Sequence, residues 1–162
     1  MSPADEADRT PEKSARTSAL DEVVDLVSAL IRFDTSNTGE LETTRGEKEC
    51  AEWVAHKLAE VGYETEYVES GAPGRGNVFA TLAGAAPARG TLLIHGHLDV
   101  VPAEPADWSV HPFSGAVEDG YVWGRGAVDM KDMVGMALAL ARQFKSNGTV
   151  PPRPIMFAFL AD

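Results

Sequence analysis

His97, Asp99 and Asp129 are the residues whose types and spacing could do chemistry. The stretch Thr91 to Asp99, TLLIHGHLD, reads as a short buried strand ending in His97, with a carboxylate two positions later. Side chains two apart on extended backbone share a face, so Asp99 can orient the His97 imidazole from behind if that geometry persists. A ring held this way has a fixed tautomer and a more basic free nitrogen, the arrangement expected of a zinc ligand. His-x-Asp alone reads more readily as a strand end facing solvent. The second segment, Trp123 to Lys131, is WGRGAVDMK: Gly124 and Gly126 permit unusual turns, and Asp129 stands just before a helical pattern. By itself Asp129 would serve as a helix N-cap. Taken together, one residue follows a strand and the other precedes a helix. In an open α/β sheet such positions gather in the crevice beyond the carboxyl ends of the strands.

Four ordered motifs, HGHLDVVP, DWSVHPF, YVWGRGAVDMK and IMFAFLAD, resemble the M20 family of co-catalytic zinc peptidases and aminoacylases. The likeness runs from about Leu20 to Asp162. It implies that His97 is a zinc ligand and that Asp99 is the active-site carboxylate orienting it. Asp129 would be the carboxylate bridging two metals, followed by a cis peptide to Met130. It implies two Zn2+ per full-length site, with Co2+ or Mn2+ as alternatives, and a small acylated amino acid or peptide as substrate. The full-length protein is compatible with a homodimer. In the family, the strand matching Ile155 to Ala161 runs into a pair of glutamates, a general base and a metal ligand, with further ligands toward the C-terminus. None of these stands in the sequence read here.

A catalytic zinc normally keeps three protein ligands plus water, and the base alone contributes about 10²- to 10⁴-fold in rate. The expectation is therefore a metal-dependent amidohydrolase or peptidase by family, with the 162-residue chain inactive by itself. The other class is a non-catalytic truncated paralogue, a weak metal binder or dimer partner. The DWSVHPF and GRGAVDMK wording lies nearest the aminoacylase and dipeptidase branch. Asp132 departs from the family, which often has Gly there; in the first helical turn its charge favours the helix dipole.

With 44% hydrophobic and 24% charged residues, the composition suits one globular core. A net charge of −11 argues against nucleic acid or an anionic membrane as partner, because phosphate binding needs clustered Lys and Arg. The single Cys50 excludes an intrachain disulfide and suits a buried structural thiol. Residues 1–17 mix charges of both signs with two prolines and no apolar run, so they read as a disordered leader without signal peptide or anchor. A cytoplasmic location follows as the expectation. The Asn147-Gly148-Thr149 sequon is then incidental.

Residues 18–162 are expected to form a partial catalytic domain that ends before the Glu-Glu motif. Its class is α/β: a three-layer sandwich with a mixed sheet, the N-terminal half of a zinc-exopeptidase-like domain. Leu20, Val23, Val24, Val27, Leu30 and Ile31 give a helix over about Ala19 to Phe33, opened by a Ser18–Asp21 capping box. Cys50, Trp53, Val54, Leu58 and Val61 give a second helix that Gly62 terminates. Tyr63 to Val68 and Asn77 to Leu82 read as strands, and Thr91 to Ile94 as the central one. The Gly71–Gly76 turn lacks the Gly-Lys-Ser/Thr ending of a phosphate loop. Asp119-Gly120 marks a hairpin that delivers Arg125 and Asp129 to the site. Met133, Met136, Ala137, Leu140 and Phe144 give a third helix ending near Gly148. His95 and His111 read as structural, and His56 as solvated. A partial domain should also leave a sheet edge and an apolar face open, favouring association.

Overall fold

The computed structural model describes residues 17–162. The leader read over residues 1–17 falls, apart from Thr17, outside them. Helix α1 (Ala19–Ile31) and helix α2 (Lys48–Ala59) come first, followed by strands β1 (Thr65–Glu69), β2 (Gly76–Leu82) and β3 (Leu92–His97). A small hairpin, β4 (Val117–Glu118) with β5 (Tyr121–Val122), precedes helix α3 (Lys131–Ser146) and strand β6 (Ile155–Leu160).

The element types follow the residue patterns closely. Ser18 caps α1 by accepting the Leu20 amide through its hydroxyl, while the Asp21 amide turns back to the Ser18 carbonyl. Gly62, at φ 91°, turns the chain out of α2 as the Tyr63 amide reaches the Leu58 carbonyl, an αL exit that a side chain would resist. Asp119 and Gly120 both sit at positive φ, 53° and 81°, as a two-residue hairpin turn requires.

The main sheet runs β1-β2-β6-β3. β1–β2 and β2–β6 are antiparallel and β3–β6 is parallel, so the sheet is mixed and the class is α/β. One correction concerns β3. It is not central: β6 takes the inner place, and β3 is an edge of the four described strands. It also runs three residues beyond Ile94, because its parallel ladder with β6 continues to His97 opposite Leu160.

Val78, Ala80, Leu82, Ile155, Phe157 and Phe159 point from the sheet into a core shared with Leu26 and Leu30 of α1, Val54 and Leu58 of α2, and Val134 and Leu138 of α3. Burying each such aliphatic or aromatic side chain contributes about 1.5–3 kcal/mol, which makes this cluster the main stabilising term. On the opposite sheet face, among the described residues, Leu93 and Met156, opposite each other in register, are 53% and 36% exposed and His95 is exposed beside them, while Ala158 is buried. The chain thus supplies the sheet and one helical layer. Among the described residues, no helix is long and apolar enough to cross a membrane.

Arg142 of α3 ties the helical layer together. Its guanidinium donates to both Glu22 carboxylate oxygens on α1 at 2.9 and 3.2 Å, to Glu60 Oε2 at 2.9 Å and to the Lys57 carbonyl. Both glutamates remain partly solvated, so the pairing is screened. Arg142→Ala is expected to lower the unfolding free energy by about 2 kcal/mol, read as a reduced urea midpoint at unchanged slope. A midpoint within error of the parent would show that the network contributes nothing.

Candidate metal centre

Extended backbone persists past His97, which is the condition for His97 and Asp99 to share a face. The Leu98 amide donates to the Leu160 carbonyl at 2.7 Å, prolonging the β3–β6 ladder by one step. On its other side, the loop after α1 lies along the chain. Thr35 Oγ1 donates to the Leu98 carbonyl at 2.7 Å, the Val100 amide to the Thr35 carbonyl at 3.1 Å, and the Asn37 amide to the Val100 carbonyl at 2.8 Å. Gly96 permits α3 to press onto β3, since a Cβ there would stand 3.0 Å from Val134 Cγ2.

Asp129 arrives from the opposite side. The Arg125 amide donates to the Pro112 carbonyl at 2.7 Å, and Gly124, at φ 145°, passes so close that a Cβ would lie 2.7 Å from the same oxygen. The Lys131 amide then closes on the Gly126 carbonyl at 2.9 Å, and the Asp129–Met130 peptide is cis. The N-cap position of α3 belongs to Met130, so the Asp129 carboxylate is not spent on capping.

The three residues singled out by the sequence converge on one point. His97 Nδ1 lies 3.0 Å from Asp99 Oδ1 and 3.1 Å from the Asp99 carbonyl oxygen. Both neighbours only accept, so Nδ1 carries the hydrogen. His97 Nε2 lies 3.2 Å from Asp129 Oδ1. Burial disfavours the imidazolium, but the Asp99 carbonyl and carboxylate and the Asp129 carboxylate outweigh it and hold the ring above its ordinary value near 6.5.

With Nδ1–H committed to Asp99, the Nε2 lone pair of a neutral ring faces a carboxylate. That pairing is repulsive unless a cation stands between: a proton or a metal ion. Two tetrahedral corners on a zinc with bonds of about 2.0 Å are about 3.3 Å apart, close to the observed separation. The Asp129 side chain is 84% exposed, which leaves the position open to an ion from solvent. His97 and Asp129 therefore fit two corners of a divalent-cation site, with Asp99 behind the imidazole. No cluster of three or more His, Cys, Asp or Glu suited to a metal occurs among the described residues.

Other residues named from the sequence have structural partners. Arg125 places its guanidinium over the Trp108 ring at 5.2 Å, and His111 accepts the Phe113 amide while packing edgewise on the Phe113 ring. Cys50 is buried, and burial pushes its thiol up to about 11. Asn147 is used by the fold, exchanging hydrogen bonds with the Thr17 backbone.

Three polar residues that the sequence reading passed over prove important. Lys131 is fully buried; its ammonium donates to the Leu30 carbonyl at 2.9 Å and the Phe33 carbonyl at 2.7 Å, closing the C-terminus of α1. Burial lowers its pKa, opposed by Cys50, Asp34 and Asp99. Glu47 is also fully buried and accepts Arg75 Nε at 2.8 Å; burial raises its pKa against the pull of Arg75. Asn37 donates to Asp99 Oδ2 at 3.1 Å. No local signal marked them: a lysine opening a helix, a glutamate before one and an asparagine in a polar loop all read as solvated.

The description of Peptidase family M20/M25/M40 matches residues 93–162, the stretch that holds His97, Asp99 and Asp129. Over that stretch, a little under half of the chain, the sequence is similar to the M20 peptidase family. Among curated M20-like relatives, the succinyl-diaminopimelate desuccinylase of Methylorubrum populi is 41% identical over 96 residues, covering 57% of this chain and 24% of its own. That of Methylorubrum extorquens is 37% identical over 123 residues, covering 74% and 29%. Human carnosine dipeptidase 1 superposes with a TM-score of 0.71 at 27% identity, over 87% of this chain and 32% of its own. The M20 family metallo-carboxypeptidase Sso-CP2 of Sulfolobus solfataricus shares the fold, with a TM-score of 0.69 at 21% identity, over 88% and 30%. The chain spans about a quarter to a third of the length of these relatives.

Proposed function

We propose that this chain carries one half of the divalent-metal site of an M20 amidohydrolase that cleaves an N-acyl amino acid or small peptide. The observation that carries the reading is the placement of His97 Nε2 against Asp129 Oδ1 at 3.2 Å, with Asp99 holding the other ring nitrogen. The substrate class is supported by the relatives, a desuccinylase and a carnosine dipeptidase.

A bound zinc pair would supply Lewis acidity toward the amide carbonyl and a water acidified toward neutrality. His97 and Asp129 would hold it. Asp99 keeps the proton on Nδ1 and so leaves the Nε2 lone pair for the metal; its negative charge also raises the basicity of that nitrogen. The exposed carboxylate of Asp129 faces solvent and can accept a hydrogen bond from a water on the open side.

Two donors hold an ion less tightly than the three or four of a complete site. Titration of the metal-free chain with zinc is therefore expected to show weak, saturable binding, and the chain alone to leave N-acyl amino acids uncleaved. His97→Ala and Asp129→Ala should each weaken zinc binding by about tenfold or more. Unaltered affinity in both variants would remove the reading, and so would turnover by the unsupplemented chain.

A further inference from the structure

Asn37 sits in the loop after α1, apart from every recognised motif, yet its side chain reaches the innermost part of the site. Nδ2 spends one hydrogen on Asp99 Oδ2 at 3.1 Å and the other on the Asp162 carbonyl at 2.8 Å. Oδ1 accepts the Gly39 amide at 3.0 Å and the Thr44 hydroxyl at 3.3 Å. Each end of the amide thus meets partners of one kind: acceptors at the nitrogen, donors at the oxygen. A flipped amide would set its oxygen against a carboxylate and a carbonyl, so the orientation is fixed by chemistry. The backbone leaves it little freedom, since the Asn37 amide bonds the Val100 carbonyl and Ser36 bridges to Val100.

We propose that Asn37 is a positioning residue for the metal site, locking the Asp99 carboxylate so that Oδ1 faces His97 Nδ1 and the imidazole presents Nε2 to a divalent cation. This rests on the metal reading of His97 and Asp129. An Nδ2–H can only donate, so the Asp99 Oδ2 it meets must accept, and with Oδ2 held the other oxygen stays 3.0 Å from His97 Nδ1. The amide thus reinforces, through the Asp99 carboxylate and beside the Asp99 carbonyl, which imidazole nitrogen is free. The same amide joins the loop to both strand exits, at Asp99 beyond β3 and Asp162 beyond β6. It acts through Asp99 and does not itself reach the ion.

The test compares the parent chain with Asn37→Ala and with Asn37→Asp, which keeps shape but sets a second carboxylate beside Asp99. Zinc affinity is measured by titration. The His97 ring tautomer is read from nitrogen-15 shifts of the metal-free chain where the ring is neutral, and thermal melts of the same samples report folding. Both variants are expected to bind zinc about 10- to 100-fold more weakly, with the His97 shifts moved off the pure Nδ1–H pattern while cooperative melting persists. Parent-like affinity in a folded Asn37→Asp chain would overturn the proposal. So would weaker binding with unchanged ring shifts, because that loss would come from the loop. If His97→Ala binds zinc like the parent, the metal reading falls instead, and the ring shifts alone still decide what Asn37 does.

Discussion

Lys131→Met is expected to lower the unfolding free energy of this chain by about 3 kcal/mol, a large share of the roughly 5–15 kcal/mol of an ordinary domain. Methionine keeps the aliphatic stem and its packing, so the change isolates the ammonium. Two charge-assisted hydrogen bonds disappear, each worth about 1.5–3 kcal/mol, and the Leu30 and Phe33 carbonyls lose their donor. Relief of the buried charge offsets part of this, as its lowered pKa indicates. Lys131→Ala should lose more, because a cavity is added where the stem now runs so close to Gly126 that a Cβ there would stand 3.2 Å from Lys131 Cδ. The measurement is a urea denaturation series without metal. A methionine variant as stable as the parent would show that α1 ends well enough without the ammonium. Because Lys131 is two residues from Asp129, the same variant should also loosen the approach of that carboxylate to His97.

The second large effect is on pH. Zinc can take His97 Nε2 only when that nitrogen is unprotonated, so affinity should fall about tenfold per pH unit once the pH drops below the raised pKa of the ring. Folding of the metal-free chain should move the opposite way. A histidine whose folded pKa exceeds its unfolded one contributes stability that is fully present below the ordinary value near 6.5 and is lost as pH rises through the folded value. Acid therefore strengthens the His97 contacts with Asp99 and Asp129 while expelling the metal. Titration with zinc and urea melts between about pH 5 and pH 8.5 should give slopes of opposite sign, both flattened in His97→Gln. Parallel slopes, or a zinc slope that survives the substitution, would exclude His97 as the titrating ligand.

The site was legible where its geometry is local. His97 and Asp99 are two residues apart, and Asp129 stands at a strand-to-helix turn marked by Gly124 and Gly126, so a short motif carries most of the arrangement. Elements of the fold were legible for the same reason, through the apolar period of α1 and α3 and the Asp119-Gly120 turn. What the sequence could not show is which strand stands beside which. The insertion of β6 between β2 and β3 depends on pairing across roughly half the chain, and no local pattern of β3 marks it as an edge. Asn37 and Lys131 escaped for a related reason. An asparagine in a polar loop and a lysine in a first helical turn look solvated, and only the folded neighbours turn one into a clamp on Asp99 and the other into a helix stop. The supporting polar contacts join residues about 60 to 100 positions apart.

The strand order has a consequence for the newborn chain. Leaving the ribosome in sequence, β1 and β2 can zip into a hairpin early, and α1 and α2 can condense around them. β3, carrying His97 at its tip, finds no hydrogen-bonding neighbour among the described strands until β6 emerges some sixty residues later. Registration of His97 in the sheet is thus a late event in vectorial synthesis, governed by a contact between distant segments rather than by the motif around it.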